Sequence, residues 1–265
     1  MMGISSNNQK TNSAVERALT ILEYISSKTG PVGVNEIANE LSLAKSTTHR
    51  LLDTLKSRGF VVQDDTIEKY DIGLKAIEVG MSGLKNWNLV DIASAYIKQL
   101  AADLSETSFL AVYDEGEIVY VYKVEGQRAV ITNSQLGTRK PVHCTALGKA
   151  MMSSLHLEEV DQILNEKGME KFTEKTIVDR QRFFEELSKI RELGYAMDDE
   201  EVEIGLTCFA APIYSYTGKA VAGISVAGPT ERMIQNKNKI TEQLLEASNF
   251  ISRRLGYVPA MRKSL

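Results

Sequence analysis

Two runs decide the reading of the N-terminal part: Val34-Asn35-Glu36-Ile37-Ala38-Asn39-Glu40-Leu41 and, after Ser42-Leu43-Ala44, Lys45-Ser46-Thr47-Thr48-His49-Arg50-Leu51-Leu52-Asp53-Thr54-Leu55-Lys56-Ser57-Arg58. Ile37, Ala38 and Leu41 share one side of the first, and Leu51, Leu52 and Leu55 one side of the second, which is the spacing of two short amphipathic helices. Gly59 supplies the stop. Helices joined so tightly form a helix-turn-helix, in which the first braces and the start of the second enters a major groove. Small Ala38 permits the close crossing. Lys45, Ser46, Thr47, Thr48, His49 and Arg50 put hydroxyls, an imidazole and a guanidinium on the start of the second helix, groups that bond phosphates and base edges. Of Thr48 and His49, one is expected to face the helix interface instead.

Upstream, Ser13 reads as an N-cap with Glu16 completing a capping box, followed by a helix to about Lys28 with Val15, Ala18, Leu19, Leu22 and Ile25 as its apolar stripe. Thr29-Gly30-Pro31 is turn punctuation. Downstream, Phe60–Gln63 and Lys69–Ile72 flank Asp64-Asp65-Thr66 and predict a hairpin wing. Lys56, Arg58 and Lys69 are placed to hold flanking DNA backbone. Residues 1–12, rich in Ser, Asn and Gln, read as a disordered tail. Leu74–Leu84 resumes helical spacing near Gly73, Gly80 and Gly83 and is expected to connect two domains, with Trp87 at its end.

The second half begins with a helix from Leu89 to about Ser105. Phe109–Tyr113 and Ile118–Val124 then flank Asp114-Glu115-Gly116-Glu117, a hairpin signal. Further strands are predicted at Ala129–Thr132, Tyr195–Met197, Cys208–Ile213 and Val221–Val226. Helices are predicted at Thr145–Ser154, Glu158–Glu166, Arg180–Leu193 and Lys237–Leu255. Hairpins mixed with helices indicate an α+β domain on an antiparallel sheet, since a doubly wound sheet would alternate strand and helix.

A net charge of -4 excludes a surface that is basic throughout. Any nucleic-acid footprint is local: residues 45–58 carry Lys45, Arg50, Lys56 and Arg58 against Asp53 alone. No apolar run is long enough to span a bilayer, and residues 1–13 lack a signal-peptide core, so a cytoplasmic protein without membrane partners is expected. Cys144 and Cys208 are too few for a disulfide framework and lack metal-ligand spacing; no metal or cofactor is called for.

Ser13-Ala14-Val15-Glu16-Arg17-Ala18-Leu19-Thr20-Ile21-Leu22, Glu36-Ile37-Ala38, Lys45-Ser46-Thr47, Arg50-Leu51-Leu52, Leu55, Gly59-Phe60 and Tyr70-Asp71-Ile72-Gly73 resemble the N-terminal domain of IclR-type bacterial regulators. Gly137 through Ala150 and Gly194 through Pro212 resemble the effector domain of the same family, so the resemblance spans about 13–257. Ser42 departs from it, standing where glycine is common, which predicts a mildly strained turn. The resemblance implies a winged helix-turn-helix domain over 13–73, a linker helix over 74–88 and a GAF-like effector domain over 89–257, with tails 1–12 and 258–265. It also implies a small, often carboxylate-bearing metabolite held by Ala146, Leu147, Asp198, Cys208 and Ser225. Ala227 stands where some relatives carry a second hydroxyl.

Read physically, Pro141-Val142-His143-Cys144-Thr145 is an extended approach to a helix start whose free amides attract anions, with small Ala146 and Gly148 permitting close approach. Cys208 and Ser225 also fit as small core residues, and Asp198 either caps its loop or accepts a ligand hydroxyl. The acidic run Asp198-Asp199-Glu200-Glu201 fits a solvated loop better than a metal site.

The expected function is therefore a transcriptional regulator, most simply a repressor, whose partners are a double-stranded DNA operator and an organic or sugar acid. Two half-sites call for a homodimer; a homotetramer is implied by resemblance alone. Two other readings compete: an enzyme with Cys144 or Cys208 as nucleophile and His143 as base, and an adaptor whose winged helix binds protein. Adjacent His143 and Cys144 in an extended segment would point apart, and no third orienting group is identifiable, which disfavours the enzyme.

Overall fold

A computed structural model describes residues 13–64, 66–85, 88–128 and 134–258. The chain divides into two compact units, Met1–Trp87 and Asn88–Leu265. Asp65, Trp87 and the strand expected at Ala129–Thr132 lie outside the described residues. Among those residues no helix is long and apolar enough to cross a membrane.

In the first unit, α1 (Ser13–Ser26), β1 (Val32–Gly33), α2 (Val34–Glu40), α3 (Lys45–Ser57), β2 (Val61–Asp64), β3 (Lys69–Ile72) and α4 (Leu74–Lys85) follow in order. The wing is a three-stranded antiparallel sheet, β1-β3-β2, with Val61 opposite Ile72 and Asp64 opposite Lys69. Asp64 Oδ1 accepts the Thr66 amide at 2.8 Å and shapes the turn, as Asx side chains do. Ile21, Ile25, Ile37, Leu52, Leu55, Val61 and Tyr70 form the core. The Leu43 amide donates to the Ala38 carbonyl at 2.9 Å, drawing α3 back against α2.

For α1, one expectation fails and one holds in part. Ser13 already lies within the helix and so is not its cap. Val15 and Leu19 are 55% and 54% exposed, while Ile21 and Ile25 are buried. At about 100° per residue, Val15 sits about 120° round the helix from Ile21. Ala18, Leu22 and Ile25 meet the core as expected, and Val15 and Leu19 lie at the exposed edge of the same apolar face.

The second unit contains α5 (Asn88–Leu104), β4 (Thr107–Asp114), β5 (Glu117–Val124), β6 (Arg139–Pro141), α6 (Ala146–Met152), α7 (Leu157–Lys167), α8 (Arg180–Leu193), β7 (Ala196–Asp199), β8 (Leu206–Tyr214), β9 (Ala220–Pro229), α9 (Thr230–Gln235) and α10 (Lys237–Arg254). Six strands form one antiparallel sheet in the order β6-β5-β4-β9-β8-β7. Strand alternation sends residues to two faces. Leu110, Phe209, Ile224 and Val226 pack under α5 and α10, and Ala111, Ala210 and Ala227 pack toward α6, α7 and α8. Helix α6 rides close to the sheet because Gly223 has no side chain: a Cβ there would stand 2.9 Å from Leu147 Cδ2. Strands β1 and β6 and helix α9 add to the predicted elements. Val142-His143-Cys144 is a turn instead of an extended approach.

Candidate functional site

Lys45, Ser46, His49, Arg50, Lys56, Arg58 and Lys69 are exposed on α3, its C-cap and β3, and Thr47 is half-buried. Thr48 is the correction. It is fully buried, its hydroxyl directed to the Ala44 carbonyl at 3.3 Å, because it falls on the side of α3 that carries Leu52 and Leu55. His49 is therefore the member of the pair that faces outward. Lys56 Nζ donates to Gln63 Oε1 at 2.8 Å and ties the end of α3 to the wing. The turn before α3 holds Ser42 at φ 51°, the left-handed region glycine prefers.

In the second unit, strand register builds the floor of a cavity of about 230 Å³. Asp198 pairs with Cys208 and Cys208 with Ala227, so one row crosses β7, β8 and β9. Ser225 lies two residues from Ala227 on the same face and pairs with Phe109. Tyr120 pairs with Ala111, extends the floor onto β5, and its ring meets Phe109 at 5.0 Å between centroids. Ala146 and Leu147 contribute to its wall, as do Lys140, Phe172, Glu203 and Leu206.

The start of α6 differs from expectation. Thr145 caps it: its hydroxyl accepts the Gly148 amide at 3.1 Å and donates to the Pro141 carbonyl at 2.8 Å. That amide is not free. Gly148 is required by the chain, not by a guest, since a Cβ would lie 2.3 Å from the Val142 backbone. The first-turn residues that line the cavity are Ala146 and Leu147.

Asp198 is buried and both caps its loop and lines the cavity. Its Oδ1 accepts the Glu201 amide at 2.7 Å, and the Val202 backbone adds a bond. Burial and the Glu201 carboxylate push its carboxyl up to about 7, against the opposing pull of the Glu201 amide and Lys149. Behind it, Lys149 is 1% exposed, bonded to Glu201 Oε1 and 3.8 Å from Glu186. Burial raises the Glu201 carboxyl despite that ion pair. Such a network is held by mutual pairing, since a buried charge without a partner costs several kcal/mol.

The nucleophile reading finds no support in this geometry. Burial pushes the Cys144 thiol up to about 12 and raises that of Cys208, where an attacking cysteine needs a lowered pKa. His143 is buried, held toward its neutral form by desolvation, and donates from Nε2 to the Glu170 carbonyl at 2.9 Å. No group of three metal-ligating side chains occurs among the described residues.

Residues 81–253 match the family described as Bacterial transcriptional regulator IclR C-terminal, and residues 14–65 match the IclR helix-turn-helix domain. The chain belongs to the IclR family of bacterial transcriptional regulators. It is 35% identical over 227 residues to the HTH-type transcriptional regulator KdgR of Dickeya chrysanthemi, covering 85% of this chain and 74% of that one. It is 34% identical over 249 residues to the HTH-type transcriptional repressor AllR of Escherichia coli (strain K12), covering 94% and 92%. The crystal structure of the Thermotoga maritima IclR superimposes with a TM-score of 0.78 at 33% identity, over 92% of this chain and 99% of that one. These relatives are regulators of transcription.

As an IclR-family chain it carries all five residues expected around the metabolite, Ala146, Leu147, Asp198, Cys208 and Ser225, on one cavity. Phe109, Tyr120, Lys140 and Phe172 join them and escaped the sequence reading. Phe109 and Tyr120 had a readable signal, being on the same strand faces as Ala111 and Ile118; Phe172 lies in a loop and had none.

Proposed function

We propose that this regulator is a cytoplasmic repressor that binds its operator as a homodimer and releases it when a small hydroxylated carboxylic acid enters the cavity. The observation that carries the ligand class is the make-up of that cavity. A cation at Lys140 and the first turn of α6 suit a carboxylate, while Asp198 and Ser225 offer partners to hydroxyls. Phe109, Tyr120 and Phe172 supply the apolar wall typical of metabolite sites. No enzymatic role is assigned, since neither cysteine is activated and the relatives are regulators. AllR, a repressor, supports the sign of control.

The DNA-reading surface is Lys45, Ser46, Thr47, His49 and Arg50, with Lys56, Arg58 and Lys69 on the flanking backbone. The winged helix spans 13–73, the linker 74–88 and the effector unit 89–257. Homodimerisation is supported by α4, where Leu74, Ile77 and Met81 are exposed at helical spacing on one face and suit a second copy. Assembly of two dimers would make a homotetramer. Control requires the acid to bind the DNA-competent and incompetent states with different affinity.

Calorimetric titration of the purified chain with sugar acids, keto acids and aromatic acids tests the ligand class. Saturable binding of one class, weakened at least about tenfold by Asp198→Asn, is expected. No heat from any acid at millimolar concentration would overturn it.

A further inference from the structure

A second cluster in the first unit joins the reading helix α3 to α1. A groove of about 520 Å³ runs between α1 and α3, and its polar lining is Ser13, Arg17, Thr47, Arg50 and Thr54. Its floor is apolar, and among the described residues no acidic one lines it, in a chain whose net charge is -4. Among the described residues neither Arg17 nor Arg50 is paired with a carboxylate, and both are exposed. The Thr54 hydroxyl is taken by the Arg50 carbonyl at 2.9 Å, which leaves Ser13 and Thr47 as the hydroxyls that can turn into the groove. Two guanidiniums facing one space repel each other until an anion lies between them. Guanidinium and phosphate match in geometry through paired N–H···O bonds, so the fitting anion is a phosphate.

We propose that Arg17, on a helix outside the helix-turn-helix, is a positioning residue that clamps a DNA backbone phosphate together with Arg50 and Thr47. This rests on the reading that α3 faces DNA. It extends the footprint to α1, where exposed Arg17 stands one turn before buried Ile21, on the side of the helix that lines the groove with Ser13 and Ala18. A phosphate contact fixes register on the duplex and carries no base preference.

The test measures affinity of the full chain for a random 30-base-pair duplex across a salt series, for the wild type, Arg17→Ala and Arg17→Lys. Each phosphate neutralised contributes about -0.9 to the slope of log K against log salt. Arg17→Ala is expected to flatten the slope by about one unit with an unchanged melting temperature, and Arg17→Lys to restore most of it. A wild-type slope retained in Arg17→Ala would overturn the clamp while leaving the DNA reading intact. Absence of any salt-dependent affinity in the wild type would overturn both.

Discussion

Asp198 Oδ1 accepts the backbone amide of Glu201 at 2.7 Å, so the acid that lines the cavity also fixes the loop that walls it. Its carboxyl titrates at about 7 in the fold against 3.8 for the free side chain. The folded state therefore holds this proton more tightly than the unfolded chain. The penalty is absent below pH 3.8, grows as pH rises, and is complete above about 7. Asparagine keeps an oxygen for the Glu201 amide and has nothing to titrate. The melting temperature of Asp198→Asn relative to wild type is expected to rise between pH 5 and 7.5, as followed by circular dichroism; a constant difference would remove the raised carboxyl from the account.

The ion pair behind that loop gives a second outcome. Lys149→Met leaves Glu201 buried without its cation and is expected to cost about 3–5 kcal/mol in urea unfolding. Adding Glu201→Leu removes the stranded charge, and the double variant is expected to recover at least half of that loss. Additive losses would mean that the two groups do not depend on each other.

Thr48 and Arg50, two positions apart on α3, should separate stability from recognition. Thr48→Ala removes a buried side chain and its bond to Ala44, and is expected to destabilise the fold by about 1 kcal/mol. Its operator affinity per folded molecule stays unchanged. Arg50→Ala leaves stability within about 0.5 kcal/mol and weakens binding to native and random duplexes by the same factor, as loss of a phosphate contact does. Comparison of the two duplexes in a fluorescence-anisotropy titration checks this, and a further loss of about 1–3 kcal/mol on the native duplex alone would give Arg50 a base-edge contact as well.

Ser42 sits at φ 51° between α2 and α3. A non-glycine side chain there costs about 1–2 kcal/mol, part of which glycine returns as lost chain entropy. Ser42→Gly is expected to raise stability by roughly 0.5–1 kcal/mol in chemical denaturation, and a loss of stability would mean that the serine side chain holds the turn.

Where residues carried their own punctuation, the chain could be read directly. Helix α8 runs from Arg180 to Leu193 as expected because Asp179 caps one end and left-handed Gly194 the other. The wing follows from Gly59 and the Asp64 turn. Strands β1 and β6 were missed because two and three residues are too few to show a period of two. On α1 the buried side was legible through Ala18, Leu22 and Ile25, and its edge was not, since Val15 and Leu19 follow the same period yet lie exposed. The effector residues came from resemblance, whereas the pairing of Lys149 with Glu201, 52 positions away, is a product of the fold alone. Gly148 was misread for the same reason: its neighbour is the Val142 backbone, which no local pattern announces.

The central claim, that this chain is a metabolite-released DNA regulator, is tested most directly by one titration. The purified protein is bound to its own upstream intergenic DNA and to a random duplex at two salt concentrations, with and without a panel of small carboxylates. Tight binding to the native fragment, steeply weakened by salt and released by one acid, is the expected result; equal affinity for both duplexes, or an operator complex indifferent to every acid that fills the cavity, would contradict it.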